Sequence, residues 1–141
     1  MAEGKLRVNI VTPAGEKFNG EVDELTAPGF LGEFGVLPGH LEYFTKNPPG
    51  VMSVFENGKA SHWSVGKGFI EVSDDHVYLL VQSAERAEDI DLERAKDSLS
   101  RAEAKLAELD GDLSNPVYQN KQLRIKRAEA RIAAASTKTM H

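Results

Sequence analysis

Ala84-Glu85-Arg86-Ala87-Glu88-Asp89-Ile90-Asp91-Leu92-Glu93-Arg94-Ala95 divides the chain in two. Before it, apolar residues alternate with polar ones in short runs punctuated by glycine and proline. After it, they recur at helical spacing, with Gly111 the only glycine and Pro116 the only proline. The stretch is a joint between two architectures, and this predicts an α+β chain. A mainly β part, residues 1–86, precedes a two-helix antiparallel hairpin, residues 87–141.

Upstream of the joint, Leu6, Val8 and Ile10 alternate with polar residues and predict a half-buried strand closed by Pro13-Ala14-Gly15. Phe18, Val22 and Leu25 continue the pattern as far as Pro28-Gly29. Asn57-Gly58 lies between the strand patterns 51–55 and 60–65, and both turn residues of such a hairpin must accept positive φ. Phe69-Ile70-Glu71-Val72 and Val77-Tyr78-Leu79-Leu80-Val81 form a second hairpin across Ser73-Asp74-Asp75-His76. The strand pattern runs out near Gln82. Short strands at close spacing, with no helix between them, predict an antiparallel sandwich or barrel.

Downstream, Leu92, Ala95, Leu99, Ala102, Leu106 and Leu109 are spaced three and four apart, a narrow heptad seam suited to one partner helix. Gly111 is a natural stop. Asn115-Pro116 restarts the helix, with Asn as cap and Pro at the first helical position. Tyr118, Ile125, Ala128, Ile132 and Ala135 form the answering seam, which Lys121 interrupts. Alanine on much of this seam makes the packing shallow, because a methyl group contributes far less than the ~1.5–3 kcal/mol of a buried Leu or Ile.

The net charge of −5 hides an asymmetry. Residues 1–90 carry seven Lys/Arg against fourteen Asp/Glu, whereas from Pro116 onward six basic residues face Glu129 alone. An acidic body argues against nucleic acid as partner. No apolar run approaches the roughly 18 residues of a membrane span. The N-terminus lacks the basic-then-apolar order of a secretory signal. The absence of cysteine removes disulfides, thiolate metal sites and cysteine nucleophiles. His40, His62, His76 and His141 show no metal-ligand spacing. No nucleophile elbow or phosphate loop is present, and nothing points to an enzyme.

The arginines stand out. Arg94 and Arg101 are two turns apart on one helix face and Lys105 extends the row; Arg124, Arg127 and Arg131 line a face of the second helix. No acidic residue is expected at the intervening stacked positions. In an antiparallel hairpin the rows can converge on one anionic ligand, since guanidinium forks match phosphate oxygens. They can equally dock on an acidic protein surface, and spacing does not choose between the two.

Two motifs carry a family resemblance. Gly32-Glu33-Phe34-Gly35-Val36-Leu37-Pro38-Gly39-His40 resembles the G-E-x-G-[IV]-L-P-G-H segment of ATP synthase epsilon subunits, and Ile90-Asp91-Leu92-Glu93-Arg94-Ala95 is similar to that family's [IL]-D-x-x-R-A motif. Leu41-Glu42-Tyr43-Phe44 departs from the residues that usually follow the first motif. The resemblance spans essentially the whole chain. It implies a ten-stranded β-sandwich followed by a regulatory hairpin, in a non-catalytic subunit of the central rotor. The implied partners are the gamma subunit and the membrane c-ring, with Gly32, Glu33, Phe34 and His40 as partner contacts. It further implies a hairpin that is permissive when folded and inhibits hydrolysis when extended, its basic second helix then meeting acidic surface of the catalytic head. No cofactor is required, but ATP is implied as a regulatory ligand of the folded hairpin, at Glu85, Asp91, Arg94, Arg101, Arg127 and Arg131. The compartment implied is the cytoplasmic face of a bacterial inner membrane, reached only through the complex. The competing expectation is a free-standing adaptor of another assembly.

Overall fold

A computed structural model describes residues 4–109 and 116–137. The strands are β1 (Leu6–Thr12), β2 (Gly15–Val22), β3 (Glu24–Gly29), β4 (Gly32–Val36), β5 (Tyr43–Asn47), β6 (Gly50–Glu56), β7 (Lys59–Val65), β8 (Gly68–Ser73), β9 (His76–Val81) and β10 (Ala84–Arg86). A single 3-10 turn (Ala87–Asp89) leads to α1 (Leu92–Ala107), and α2 (Pro116–Thr137) follows. Two five-stranded sheets, ordered β2-β1-β9-β8-β5 and β10-β7-β6-β3-β4, face each other as a sandwich.

The alternation read from the sequence becomes the core. Leu6, Val8 and Ile10 of β1 are fully buried, as are Ile70 on β8 and Val77 and Leu79 on β9. Leu25, Met52, Trp63 and Val65 close the core from the second sheet, and the edge of Phe18 packs against Trp63. At the β6–β7 turn Asn57 and Gly58 have φ of 52° and 77°, the left-handed pair that a two-residue hairpin requires. The β8–β9 turn reaches the same geometry without glycine, Asp74 and Asp75 sitting at φ 51° and 58°. Aspartate tolerates that region better than most residues. Asp75 is further held from outside: its carbonyl accepts from Arg7 N at 2.9 Å and its carboxylate from Gly39 N at 2.7 Å.

The structure differs from the expectation in four places. First, the sandwich is not wholly antiparallel. β1 pairs with β9 in parallel, Val8 opposite Val77 and Ile10 opposite Leu79. These strands lie far apart in the chain, so no hairpin constrains their direction. Second, the β part does not stop near Gln82, because β10 adds to the edge of β7 with Glu85 opposite Ser64. Third, β4 and β5 occupy a region where the alternation gave no strand. Fourth, α2 is buried on two sides. Ala128 and Ala135 follow the seam toward α1, while Ala134, with Ala135, joins Ala87, Ile90 and Ala95 in a second cluster against which Val51 of β6 packs. α2 therefore lies between the sandwich and α1, and α1 packs chiefly on α2. The predicted Gly111 stop and Asn115 cap lie outside the described residues.

Candidate functional site

The joint places the first pieces of the site. Glu85 is on β10, its backbone fixed by β7. Six residues on, Asp91 caps α1, its carboxylate accepting from the backbone N–H of Arg94 at 3.1 Å. Such a cap is worth about 1 kcal/mol. It also fixes where Arg94 starts its turn.

From there the two helices close a cleft of about 670 Å³. Glu85, Arg94, Ser98, Arg101, Ala102 and Lys105 line it from β10 and α1; Lys121, Arg124, Arg127, Ala128 and Arg131 line it from α2. The basic rows do converge. Of the six residues implied as nucleotide contacts, Glu85, Arg94, Arg101, Arg127 and Arg131 meet in this cleft. Asp91 does not line it and acts as the helix cap. Lys105, Lys121 and Arg124 enlarge the set. Lys121 was visible in the sequence as an interruption of an apolar seam, and its position in the cleft accounts for that break.

One ion pair ties the hairpin to the sandwich. Arg131 Nε stands 2.8 Å from Glu85 Oε1, and Nη2 donates to Oε2 over 3.4 Å. The Nε–H itself is buried and not aligned on any acceptor among the described residues. The contact is thus a charge pairing braced by one long hydrogen bond, not an aligned fork. A second pairing corrects the expectation that no carboxylate interrupts the arginine row. Asp97, four residues before Arg101, binds its Nη2 at 2.9 Å. Lys105 approaches Glu108 at 3.9 Å. Among the described residues Arg94, Lys121, Arg124 and Arg127 form no ion pair. What remains is a concave surface with a large surplus of donors and positive charge, suited to a polyanion.

The loop motif folds as the β3–β4 hairpin and the turn after it. Gly32 takes φ 120°, a conformation reserved for glycine, and Glu33 is exposed. Phe34, expected as a partner contact, is turned inward with its edge on Tyr43, ring centroids 5.2 Å apart. His40 is half-buried, its Nδ1 2.6 Å from the Leu41 carbonyl oxygen. The apolar groups offered outward are instead Phe30, Leu31, Leu37 and Leu41, with Leu31 88% and Leu41 84% exposed. Their flanks are rich in glycine, so no periodicity marked them in the sequence.

Comparisons agree with this architecture half by half. Residues 5–87 match the ATP synthase delta/epsilon chain β-sandwich domain, and residues 88–136 match the long α-helix domain of the same chains. An ATP synthase epsilon chain from Geobacter metallireducens is 45% identical over 139 residues, covering 99% of both chains. One from Geotalea daltonii is 49% identical over 120 residues, covering 84% of this chain and 86% of its own. In fold, the chain is similar to one in the Euglena gracilis mitochondrial ATP synthase (TM-score 0.76, 22% identity, 100% of this chain and 84% of that one). It also resembles one in the central stalk and c-ring of the Tetrahymena thermophila enzyme (TM-score 0.56, 14% identity, 99% of each). With both halves matched in order and relatives nearly half identical along their length, the chain belongs to the ATP synthase epsilon-chain family.

Proposed function

We propose that this chain is the epsilon-type rotor subunit of an ATP synthase, set between the gamma subunit and the membrane c-ring at the cytoplasmic face of a bacterial inner membrane. It performs no chemistry itself. Its hairpin acts as a ligand-controlled brake on ATP hydrolysis. The exposed apolar tip formed by Phe30, Leu31, Leu37 and Leu41, beside Gly32, Glu33 and His40, supports contact with the ring.

The observation that carries the regulatory reading is the cleft in which Arg94, Arg101, Arg127 and Arg131 meet Glu85 across three elements. ATP seated there bridges α1, α2 and β10, so it binds only the folded hairpin. A ligand stabilises the state it binds by RT ln(1 + [L]/Kd), about 2.7 kcal/mol at a hundred times Kd. Against a seam and a sheet contact built largely from alanine, that decides which state is populated. In the extended state the same arginines face acidic surface of the catalytic head, so ATP and the head compete for one set of side chains.

Calorimetric titration of the chain with ATP, beside Arg94→Ala and Arg127→Ala, tests this. The expected result is binding in the wild type, weakened about tenfold or more in each variant. No binding at millimolar ATP removes the sensor role and leaves the rotor role, which co-purification with the membrane-bound ATPase tests separately.

A further inference from the structure

The cleft is built to read phosphates and carries little that reads a base. Its lining includes seven cationic side chains, from Arg94, Arg101, Lys105, Lys121, Arg124, Arg127 and Arg131. Against these stand one carboxylate, two alanines and one serine hydroxyl. Among the described residues no aromatic side chain lines it, so none of them offers a face for a purine to stack on. The side-chain acceptors it offers an exocyclic amine are the Ser98 hydroxyl oxygen and the Glu85 carboxylate, which Arg131 already approaches at 2.8 Å. Small-molecule pockets that select an organic ligand have the opposite make-up, mostly apolar walls with a few polar groups.

The cations are also strung out. Arg94 to Lys105 is eleven residues of α1, about 16 Å at 1.5 Å per residue, and Lys121 to Arg131 is about 15 Å of α2. One observation independent of total charge points the same way. Lys121 takes a seam position where the flanking seam residues Tyr118 and Ile125 are apolar, and it lines the cleft from there.

We propose that the cleft is a polyphosphate site: its ligand class is the linear phosphoanhydride chain, with or without a nucleoside, and longer chains bind more tightly than a triphosphate. This rests on the reading of the cleft as an anion site for the folded hairpin. Lys105, Lys121 and Arg124, at the end remote from Glu85, form the distal subsite that a triphosphate held by Arg94, Arg127 and Arg131 leaves unfilled. A free inorganic polyphosphate and a nucleotide carrying additional phosphates present the same phosphate contacts.

Calorimetric titration of the full chain at low and at physiological salt with ATP, inorganic tripolyphosphate and a longer linear polyphosphate provides the test. Tripolyphosphate is expected to bind within about threefold of ATP, and the longer chain about tenfold tighter at low salt, a gain that added salt erodes. Lys121→Gln with Arg124→Gln, both cleft-lining and not part of the buried core, lowers the affinity for the longer chain more than that for tripolyphosphate. A thermal melt establishes that this variant is folded. Binding of ATP without tripolyphosphate overturns the inference and leaves the nucleotide reading standing. Binding of none of the three overturns both. A preference for the long chain that survives the double substitution removes the distal subsite and with it the inference.

Discussion

Arg131, near the end of the last helix, holds its Nε 2.8 Å from Oε1 of Glu85 on the short edge strand β10, a contact between residues 46 positions apart. Their side chains are 17% and 31% exposed, so the pair lies between a surface bridge worth less than ~1 kcal/mol and a buried one whose breakage costs ~3–5 kcal/mol. Glu85→Gln is therefore expected to lower the stability of the docked hairpin by about 1–2 kcal/mol. A double-mutant cycle with Arg131→Met, read by denaturant unfolding, measures the coupling. A coupling energy near zero means that the pair does not latch the hairpin.

Ala134 is fully buried in the cluster between α2 and the sandwich. Ala134→Leu forces three extra carbons into that contact, at a cost of about 1–3 kcal/mol. The loss is expected to be local. Hydrogen exchange should speed up along α2 and α1 while β1, β8 and β9 keep their protection. Uniform loss of protection over the sandwich would show that the two parts unfold as one.

Asp91→Ala removes the cap of α1 and is expected to cost about 1 kcal/mol, which Asp91→Asn or Asp91→Ser largely restores. Because Asp91 does not line the cleft, Asp91→Asn should change ATP affinity by less than about threefold. A larger loss would place this carboxylate in contact with ligand.

His76 stacks on Tyr78 with ring centroids 3.8 Å apart, and its Nε2 lies 2.5 Å from Asn9 Oδ1. Burial, and then the nearby Arg7 guanidinium, hold its pKa below the ordinary 6.5. The unfolded chain therefore takes up this proton first as pH falls. The stability associated with a neutral His76 is intact above pH 6.5 and declines as pH drops from there toward the lower folded value. Asp23, held below 3.8 by Lys5 and by the Asn57 N–H, keeps its stabilising contribution above that pH and loses it only in more acidic solution. Melting temperatures between pH 7.5 and 5 are expected to fall more steeply for the wild type than for His76→Gln. Parallel curves would refute this.

How far the sequence carries the fold depends on how local each cause is. The Asn57-Gly58 turn, the Asp91 cap and the two helical seams are short-range choices, and each is found where residue type and spacing put it. The β1–β9 ladder is long-range: nothing within β1 states which distant strand lies beside it or in which direction. β10 was hidden because three residues cannot display alternation, and Glu85 and Arg86 are charged. The second buried face of α2 was hidden for another reason. Alanines at 134 and 135 look like helix propensity until a sheet is found beneath them. In the cleft the arginine rows were legible as periodicity. The Asp97–Arg101 bridge required recognising that a carboxylate four residues earlier lies on the same face.

The three-residue strand β10 has a mechanical consequence. The sandwich and the hairpin share a single covalent connection, and it leaves the sandwich through β10, whose grip on the sheet is its ladder to β7. Any pull on an extended hairpin is delivered to this edge as shear or peeling before it reaches the core strands. The element that carries Glu85 is thus also the one that bears the load, so mechanical tension on the hairpin would act first on the residue that latches it closed. If the cleft takes its proposed ligand, force and ligand act on the same few atoms in opposite senses, and this edge is where tension on the hairpin would become a change of binding affinity.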